Sequence, residues 1–427
     1  MSIGLMLIAM FALVLINVPV AVALGVVAVG AIWIVQGSHM LPNAALVMFD
    51  GATNFPLLAV PLFVLAGGIM NASTISKRLI ALASAVLGFI RGGLAMVTVG
   101  ASMFFAEISG SAVAGVAALG TILIPAMRSR GYSKEFAAAI TSSASSLAII
   151  IPPSIPMILY AAMAEQSVVK MFIAGFIPGF LGGIGLMLLS YYYARKYNFP
   201  VEQRFQLSRL WTATKDSAWA LLLPVIILGG IFGGFVTATE GAGVAVLAAL
   251  FISLVIYRDL DLRSLYRALV DSALQTAVVM LLVAASALVG VFLTESQLPQ
   301  KLAGSIVSIT SNPYVVLLLL NVFFFILGMF LHSAAAIILT VPIVMPLIHQ
   351  VGIDPVHFGL VLTLNLAIGQ QTPPVASVLI AACSVAQSDI WETTKANLGF
   401  IAVLVGVLML CTYVPWFSLV LIELFYG

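Results

Sequence analysis

The chain alternates long apolar runs with short breaks rich in Gly, Pro and charged residues. About 20 apolar residues are enough for a helix to cross the hydrocarbon core of a membrane. The predicted simple spans are 3–17, 18–36, 54–70, 171–194, 217–236, 241–257, 272–294 and 396–422. Amphipathic stretches at 72–91 and near 297–311 predict helices that lie at the membrane interface. No formal charge precedes Asp50, so we expect the chain to start with a mature transmembrane helix rather than a cleaved signal.

Two apolar stretches are too long for single spans. The 36 residues between Arg91 and Arg128 carry one charge, and the 52 residues between Lys301 and Asp354 carry none. As single helices they would be about 54 Å and about 78 Å long, against a hydrocarbon core of about 30 Å. We therefore predict two re-entrant hairpins that turn inside the membrane. They occupy 92–127, with its turn near 107–111, and 313–347, with its turn near 328–333.

Two further segments, 134–164 and 355–388, are apolar helices broken by Pro-Pro pairs. A shift of 221 residues places Pro152-Pro153 on Pro373-Pro374. The same shift matches four more punctuating pairs, Pro125 with Pro346, Gly131 with Gly352, Gln166 with Gln387 and Ser167 with Ser388. Such self-similarity predicts an internal repeat of hairpin and broken helix. The sequence match between the two copies fades towards the N-terminal part of each half, so the repeat is predicted only for the second part of each half.

The distribution of positive charge predicts the orientation. With the polar connector 196–215 placed in the cytoplasm, 15 of the 17 Lys and Arg residues fall on that side, as the positive-inside rule requires. Only Lys170 and Lys301 fall outside. Each half then has five crossings and one hairpin, so the second half is inverted relative to the first. Both termini are predicted to be periplasmic, and the hairpins enter from opposite sides.

Composition excludes soluble enzymes. The chain is 63% hydrophobic and 7% charged, whereas soluble domains are about 25% charged. The net charge of +2 gives no indication of nucleic-acid binding. Cys383 and Cys411 show neither metal-ligand spacing nor a disulfide framework. There is no P-loop and no His-Glu-x-x-His zinc motif. The fold class is therefore an all-α polytopic protein of the lipid bilayer.

Broken helices inside a membrane favour a transport function. Each Pro-Pro pair frees backbone carbonyls, which are tolerated only where they face a ligand, an ion, water or other protein. Inverted repeats with discontinuous helices are typical of secondary transporters. The hydroxyls and amides around both breaks suit a hard cation such as Na⁺. Glu107 and His332 are the only ionisable residues near mid-depth, and capping the half-helices is their alternative role. An ion channel built from the same breaks is the alternative function.

The whole chain resembles the large membrane subunit of tripartite ATP-independent periplasmic (TRAP) transporters. The motifs that carry the resemblance are Phe105-Ala106-Glu107-Ile108-Ser109-Gly110-Ser111, Ile151-Pro152-Pro153-Ser154, Thr237-Ala238-Thr239-Glu240 and Gly369-Gln370-Gln371-Thr372-Pro373-Pro374. The resemblance implies Na⁺-coupled uptake of an organic acid across the bacterial inner membrane. It also implies a periplasmic substrate-binding protein and, since no such domain precedes Met1, a separate small four-helix membrane subunit.

Within that family the chain is most similar to the sialic-acid branch, with C4-dicarboxylates next; a carboxylate/Na⁺ symporter without a binding protein is the alternative. By analogy with related elevator transporters of the ion-transporter superfamily, the scaffold is 1–91 with 216–311, and the moving domain is 92–195 with 312–427. The sodium ligands that the resemblance implies are Ser109, Gly110, Ser111, Ser145, Ser146 and Pro152 for one site, and Gly328, His332, Ser333, Gln371, Thr372 and Pro374 for the other. The implied substrate contacts are Ser154, Asn365 and Gln370. No cofactor is expected besides Na⁺ as the coupling ion.

Overall fold

A computed structural model describes residues 9, 12, 13, 16, 18–201, 205–295 and 297–426. Its first half contains α1 Val20–Gln36, α2 Leu41–Ala52, α3 Ala59–Ala72, α4 Ile75–Leu87, α5 Gly93–Ser109, α6 Ala112–Gly115, α7 Thr121–Ser129, α8 Lys134–Ser146, α9 Ile155–Met163 and α10 Val168–Lys196. Its second half contains α11 Leu207–Phe232, α12 Ala238–Phe251, α13 Leu262–Glu295, α14 Leu298–Ile309, α15 Pro313–Phe330, α16 Ser333–Val351, α17 Pro355–Gly369, α18 Ser377–Ala386, α19 Ile390–Tyr413 and α20 Trp416–Tyr426. Short π-helical turns, Val116–Gly120 and Ile252–Ile256, continue α6 into α7 and extend α12.

Nine helical segments in this part of the chain are long and apolar enough to cross a membrane. The fold class predicted from composition, an all-α polytopic membrane protein, is therefore confirmed. The predicted span 3–17 lies mostly outside the described residues. The predicted span 396–422 is wrong as one helix, because the chain breaks at Val414 and Pro415 between α19 and α20. Proline lacks the N–H that a continuous helix would need there.

The order of helices recurs along the chain at the offset seen in the sequence. Helix α8 begins at Lys134 and α17 at Pro355, which are 221 residues apart. The same offset relates the starts of α2 and α13, at Leu41 and Leu262, where the sequence match has already faded. Both Pro-Pro bonds are cis. The repeated succession of elements therefore reaches well upstream of the hairpins.

The helices pack in two groups. In the first group, α13 packs against α1, α2 and α3, while α12 packs against α3 and α11, and α11 packs against α4. In the second group, α8 packs against α18 and α19, α10 packs against α19 and α20, and α15 packs against α17. The groups contact each other through α4 with α5, α14 with α16, α3 with α5 and α13 with α16.

The hairpins cross-pack between the two halves of the chain. The hairpin of α5 to α7 places its π-helical turn and α7 against α18, which follows the second break. The hairpin of α15 and α16 places α16 against α9, which follows the first break. Each hairpin therefore rests on the broken helix of the other half.

Contacts between segments at helix ends agree with the distribution of positive charge. The backbone N–H of Thr74 donates to Asp259 over 3.1 Å, and Arg78 donates to the Asp216 carbonyl over 3.2 Å. The Arg78 guanidinium also stacks on the Tyr257 ring at 3.9 Å. Each of these contacts joins two segments that the positive-inside rule assigns to the same side of the membrane.

Candidate functional site

The first hairpin turns at Gly110 and Ser111. Gly110 ends α5 in the left-handed region, with φ of 56°, which glycine adopts without the steric cost of a Cβ. A Cβ at Gly110 would lie 3.0 Å from the Pro153 carbonyl oxygen and 3.1 Å from the Ile155 nitrogen. The Ser111 hydroxyl then caps the second arm by accepting from the Ala114 N–H over 3.4 Å. The turn is thereby held directly against the first break.

The second hairpin turns at Leu331 and His332. His332 occupies the N-cap position of α16, but its side chain makes no capping hydrogen bond and is exposed. Ser333 follows with a buried hydroxyl that has no hydrogen-bond partner. A Cβ at Gly369 would lie 2.7 Å from the Gly328 Cα. The second hairpin therefore touches the end of α17 through two glycines.

The first break is closed by a serine. After α8 the chain makes a 3₁₀ turn, Leu147–Ile149, and then the Pro152-Pro153 pair. The Ser154 hydroxyl donates to the Ile149 carbonyl over 2.6 Å and accepts from the Met157 N–H over 3.3 Å. Ser154 thus satisfies one of the carbonyls that the break frees and starts α9.

A buried polar network joins the two breaks. The Gln371 amide donates to the Ser146 hydroxyl over 2.6 Å, and its oxygen lies 2.6 Å from the Ser143 hydroxyl. The Asn397 amide donates to the same Gln371 oxygen over 3.3 Å. All four side chains are fully buried. This network couples α8, the second break and α19.

A cavity of about 450 Å³ lies where the hairpin turns and the breaks meet the first helix group. Its lining comes from both hairpin turns, both breaks and helices α1, α3 and α13. The lining residues are Pro19, Val20, Ala21, Val64, Gly110, Ser111, Ala112, Ile149, Ile155, Pro156, Gln275, Val278, Val279, Leu282, His332, Ser333, Ala334, Ala335 and Gln370. None of these lining residues is Asp, Glu, Lys or Arg.

Four helix N-termini lie at this cavity. Helix α1 begins at Val20, the second arm of the first hairpin begins at Ala112, α9 begins at Ile155 and α16 begins at Ser333, and all four residues line it. A helix N-terminus presents unpaired N–H groups and a partial positive charge of about half a unit. These N-termini can therefore donate hydrogen bonds to an anion without a charged side chain, while the ends of α5 and α17, at Gly110 and Gln370, bring carbonyl groups to the same cavity.

The structure brings five of the predicted site residues to the cavity wall: Gly110, Ser111, His332, Ser333 and Gln370. Ser146 and Gln371 lie behind the wall in the network that joins the breaks. Ser145 is buried beside Gly115 of the first hairpin, and its hydroxyl has no partner. Pro152 and Pro374 belong to the two cis bonds. The side chains of Ser109 and Glu107 lie outside the described part of the chain.

Three predicted residues make contacts away from the cavity wall. The Asn365 amide donates to Asn321 Oδ1 over 2.7 Å, and the Asn321 amide donates to the Thr412 hydroxyl over 3.1 Å. The Thr372 hydroxyl donates to the Ile368 carbonyl over 3.1 Å. Gly328 packs on Gly369, as described above. These contacts tie the second hairpin and the second break to their neighbours.

The apolar pattern of the sequence did not indicate the contribution of α13 to the cavity. Gln275 and Val278 of this helix are exposed to the cavity. Helix α13 was predicted to start at 272, whereas it starts at Leu262. The signal was present, because Arg267, Asp271 and Gln275 recur every four residues and so share one face of the helix.

A second, polar cavity of about 340 Å³ adjoins the first. The two share Val64 and Gln275 in their walls. The second cavity is lined by residues of α3 and α13 and by Ala114 of the first hairpin. Its polar residues are Asn71, Ser264, Arg267, Asp271, Ser272 and Gln275.

Residues 7–417 match the family of tripartite ATP-independent periplasmic transporters, DctM component. The chain belongs to this family. As a DctM component it is a large membrane subunit of a TRAP transporter, a multi-pass permease rather than an enzyme, as predicted.

The DctM relatives carry different substrate names at similar levels of identity. The chain is 40% identical to the isethionate permease DctMQ of Oleidesulfovibrio alaskensis, over 95% of this chain and 64% of that protein; it thus spans less than two thirds of that relative. It is 39% identical to the C4-dicarboxylate large permease of Pseudomonas aeruginosa, over 89% of each chain. It is 38% identical to the sialic acid large permease SiaM of Vibrio cholerae, over 96% of each chain. The predicted sialic-acid branch is one of several with comparable similarity.

The fold is also that of a solved transporter. The structure of YdaH from Alcanivorax borkumensis superposes with a TM-score of 0.63, covering 90% of this chain and 89% of YdaH at 15% sequence identity. At this identity the likeness shows the fold alone.

Proposed function

We propose that the chain is the translocating subunit of a Na⁺-coupled secondary transporter that takes up an organic acid across the bacterial inner membrane. A periplasmic binding protein supplies the acid, and a small four-helix subunit completes the membrane part. Sialic acid is the leading substrate and a C4-dicarboxylate the next. The isethionate permease among the relatives adds a small sulfonate to the candidate substrates. The observation that carries this proposal is that four helix N-termini lie at a cavity lined by no Asp, Glu, Lys or Arg residue.

An acidic substrate fits this electrostatic arrangement. Carboxylate and sulfonate oxygens accept hydrogen bonds from backbone N–H groups at helix N-termini. Half-helices that end near mid-membrane bind anionic substrate groups in secondary transporters in the same way. The Ser333 hydroxyl, buried and without a partner, adds a donor at the N-terminus of α16. Gln370 also lines the cavity; its amide donates to the Leu366 carbonyl over 3.4 Å and accepts from the Ser377 hydroxyl over 3.5 Å.

Coupling to Na⁺ is supported by oxygen atoms that lack partners. The hydroxyls of Ser145 and Ser333 are buried without hydrogen bonds, and such atoms need a ligand or an ion. Na⁺ prefers hydroxyl, amide and carbonyl oxygens, as other hard cations do. No cluster of three or more His, Cys, Asp or Glu side chains occurs among the described residues, which disfavours a transition-metal site there. The two predicted ligand sets around the hairpin turns and breaks remain our candidates for the Na⁺ sites.

An elevator mechanism is supported by the arrangement of the two helix groups. The group of α1 to α3 with α11 to α13 forms most of the proposed scaffold, 1–91 with 216–311. Helices α4 and α14 also lie within these bounds and pack against α5 and α16 of the other group. The group of hairpins and broken helices corresponds to the proposed moving domain, 92–195 with 312–427. The cavity lies between them, so a slide of one group along the other changes the side to which it opens. The recurrence of helices at an offset of 221 residues supports a repeat, and an inverted repeat would supply two equivalent end states.

Reconstitution into proteoliposomes with both partner proteins tests the proposal. We expect saturable uptake of sialic acid, succinate or isethionate that requires the binding protein and an inward Na⁺ gradient. Full uptake driven by a proton gradient in Na⁺-free buffer would contradict Na⁺ coupling. Non-saturable flux without the binding protein would favour a channel instead.

The Ser333 hydroxyl gives a sharper test of the cation site. Ser333→Ala removes an unpartnered buried oxygen at the cavity wall, so we expect the Na⁺ concentration for half-maximal uptake to rise severalfold. Ser308→Ala is the matched control, because the exposed Ser308 hydroxyl bonds only to the Ser305 carbonyl of its own helix. Equal Na⁺ dependence of the two variants would remove Ser333 from the cation site.

A further inference from the structure

The polar cavity beside the main cavity is built on one face of α13. Arg267, Asp271 and Gln275 are spaced four residues apart, so they lie above one another on the helix. They cover about 12 Å along its axis. The same face continues past Gln275 to Val278 and Leu282, which line the main cavity. One side of α13 therefore forms a continuous wall for both cavities, apolar at one end and polar at the other.

The polar end of this wall carries two charged side chains that are not paired with each other. Arg267 and Asp271 are both exposed in the cavity. The ion pairs found in the described residues are Lys134 with Glu135 and Lys395 with Glu392, and neither involves α13. A guanidinium offers five N–H donors in a planar fork that matches a carboxylate or sulfonate.

Two amide side chains in the polar cavity add N–H donors to those of Arg267, and Asp271 opposes them. The Asn71 amide faces the cavity from α3, and Gln275 stands at the junction of the two cavities. Asp271 lies one helical turn from Arg267 and lowers the local positive potential. An anion held here is therefore bound weakly, which suits a site that must release it.

We propose that Arg267 forms a transient oxyanion site on the path between the main cavity and the cytoplasm. The site takes a carboxylate or sulfonate group as it passes Gln275, and it belongs to the scaffold rather than to the moving helix group. This inference rests on the proposed function for the direction of transport and for the acidity of the substrate. The cytoplasmic assignment follows from the positive-inside rule, because Arg267 lies near the start of α13, where Arg258 and Arg263 also lie.

Thiol modification measures the electrostatic part of the proposal without transport. Asn71→Cys places a single thiol in the polar cavity when Cys383 and Cys411 are replaced by Ala. Inside-out vesicles are treated with methanethiosulfonates that carry either a sulfonate or a trimethylammonium group. We expect Arg267→Gln to lower the ratio of anionic to cationic modification rates about fivefold or more, the scale for one charge within several ångströms. Asp271→Asn should raise the ratio.

The control is Arg263→Gln, which removes an exposed charge one turn earlier on α13 that does not line either cavity. Its ratio should match that of the Asn71→Cys parent. Equal ratios for Arg267→Gln and Arg263→Gln would overturn the proposal, whatever the transport assays show. Because the labelling needs no substrate, this outcome is distinguishable from failure of the proposed function.

Transport then tests whether the site lies on the path. In proteoliposomes, Arg267→Gln should lower the maximal uptake rate severalfold and leave the substrate affinity of the purified protein unchanged, since the main cavity is intact. Arg267→Lys should restore part of the rate, because it keeps the charge but loses the fork. An unchanged maximal rate in Arg267→Gln would show that the cavity attracts anions but does not carry the substrate.

Discussion

Replacement of Gln371 by leucine should remove the hydrogen bonds that connect the two breaks and so destabilise the protein. Gln371 makes four hydrogen bonds: to the Ser146 hydroxyl, to the Ala367 carbonyl, from the Asn397 amide and with the Ser143 hydroxyl. Leucine has a similar volume but no polar atom. It therefore removes the hydrogen bonds and leaves the packing nearly filled, so that the loss can be attributed to the network.

The expected loss in the free energy of unfolding follows from the four hydrogen bonds. Side-chain hydrogen bonds inside membrane proteins contribute about 0.6 kcal/mol on average, and those in soluble proteins about 1 kcal/mol. Loss of four hydrogen bonds should therefore lower the free energy of unfolding by roughly 2–4 kcal/mol. The Asn397 N–H group, fully buried, loses its partner, which places the cost towards the upper end.

Thermal unfolding of the purified protein in detergent tests this magnitude. We expect a clearly lower melting temperature for Gln371→Leu than for the parent. Gln300→Leu on α14 makes the same chemical change at an exposed position and should leave the melting temperature nearly unchanged. If the two variants have the same melting temperature, the network does not stabilise the contact between the breaks and the reasoning is refuted.

Two further predictions concern packing and orientation. Gly369→Ala should destabilise the protein by about 1–3 kcal/mol, because the new Cβ would lie 2.7 Å from the Gly328 Cα. The control is Gly406→Ala, whose new Cβ meets nothing within 4 Å. Equal melting temperatures for the two variants would contradict the close contact of the second hairpin with α17. A cysteine at Ser208 should be protected from an impermeant thiol reagent applied to spheroplasts, and one at Ser305 should react; labelling at Ser208 would reverse the predicted orientation.

The hairpins and breaks were predictable because their sequence signals are local. Apolar runs longer than a span, with glycine and serine near their middle, indicate a turn, and a Pro-Pro pair ends a helix wherever it falls. The break at Pro415 carries a weaker signal, a single proline, and was missed. The start of α13 was predicted too late because Arg263, Arg267 and Asp271 interrupt the apolar pattern, although in the structure the last two face a polar cavity.

The network between the breaks was not predictable in its pairing. The hydroxyl of Ser143 and the side chain of Gln371 are 228 residues apart in sequence, and Ser143 and Asn397 are 254 apart. The sequence shows that hydroxyls and amides are present near each break. Which of them meet depends on the cross-packing of the two halves, which no local pattern encodes.

The absence of charged residues from the described lining of the main cavity has a physical consequence for a carrier. A buried lysine or arginine in a moving site would be left without its anion whenever the carrier returned empty, and an uncompensated charge inside a membrane is costly. Helix N-termini avoid this cost, because their partial charges belong to peptide dipoles that are balanced within each helix. They also cannot lose a proton, so the attraction for an anion does not depend on pH. In the proposed elevator arrangement a fixed charge is better placed on the proposed scaffold, where Arg267 of α13 would lie beside the path and would not move with the substrate.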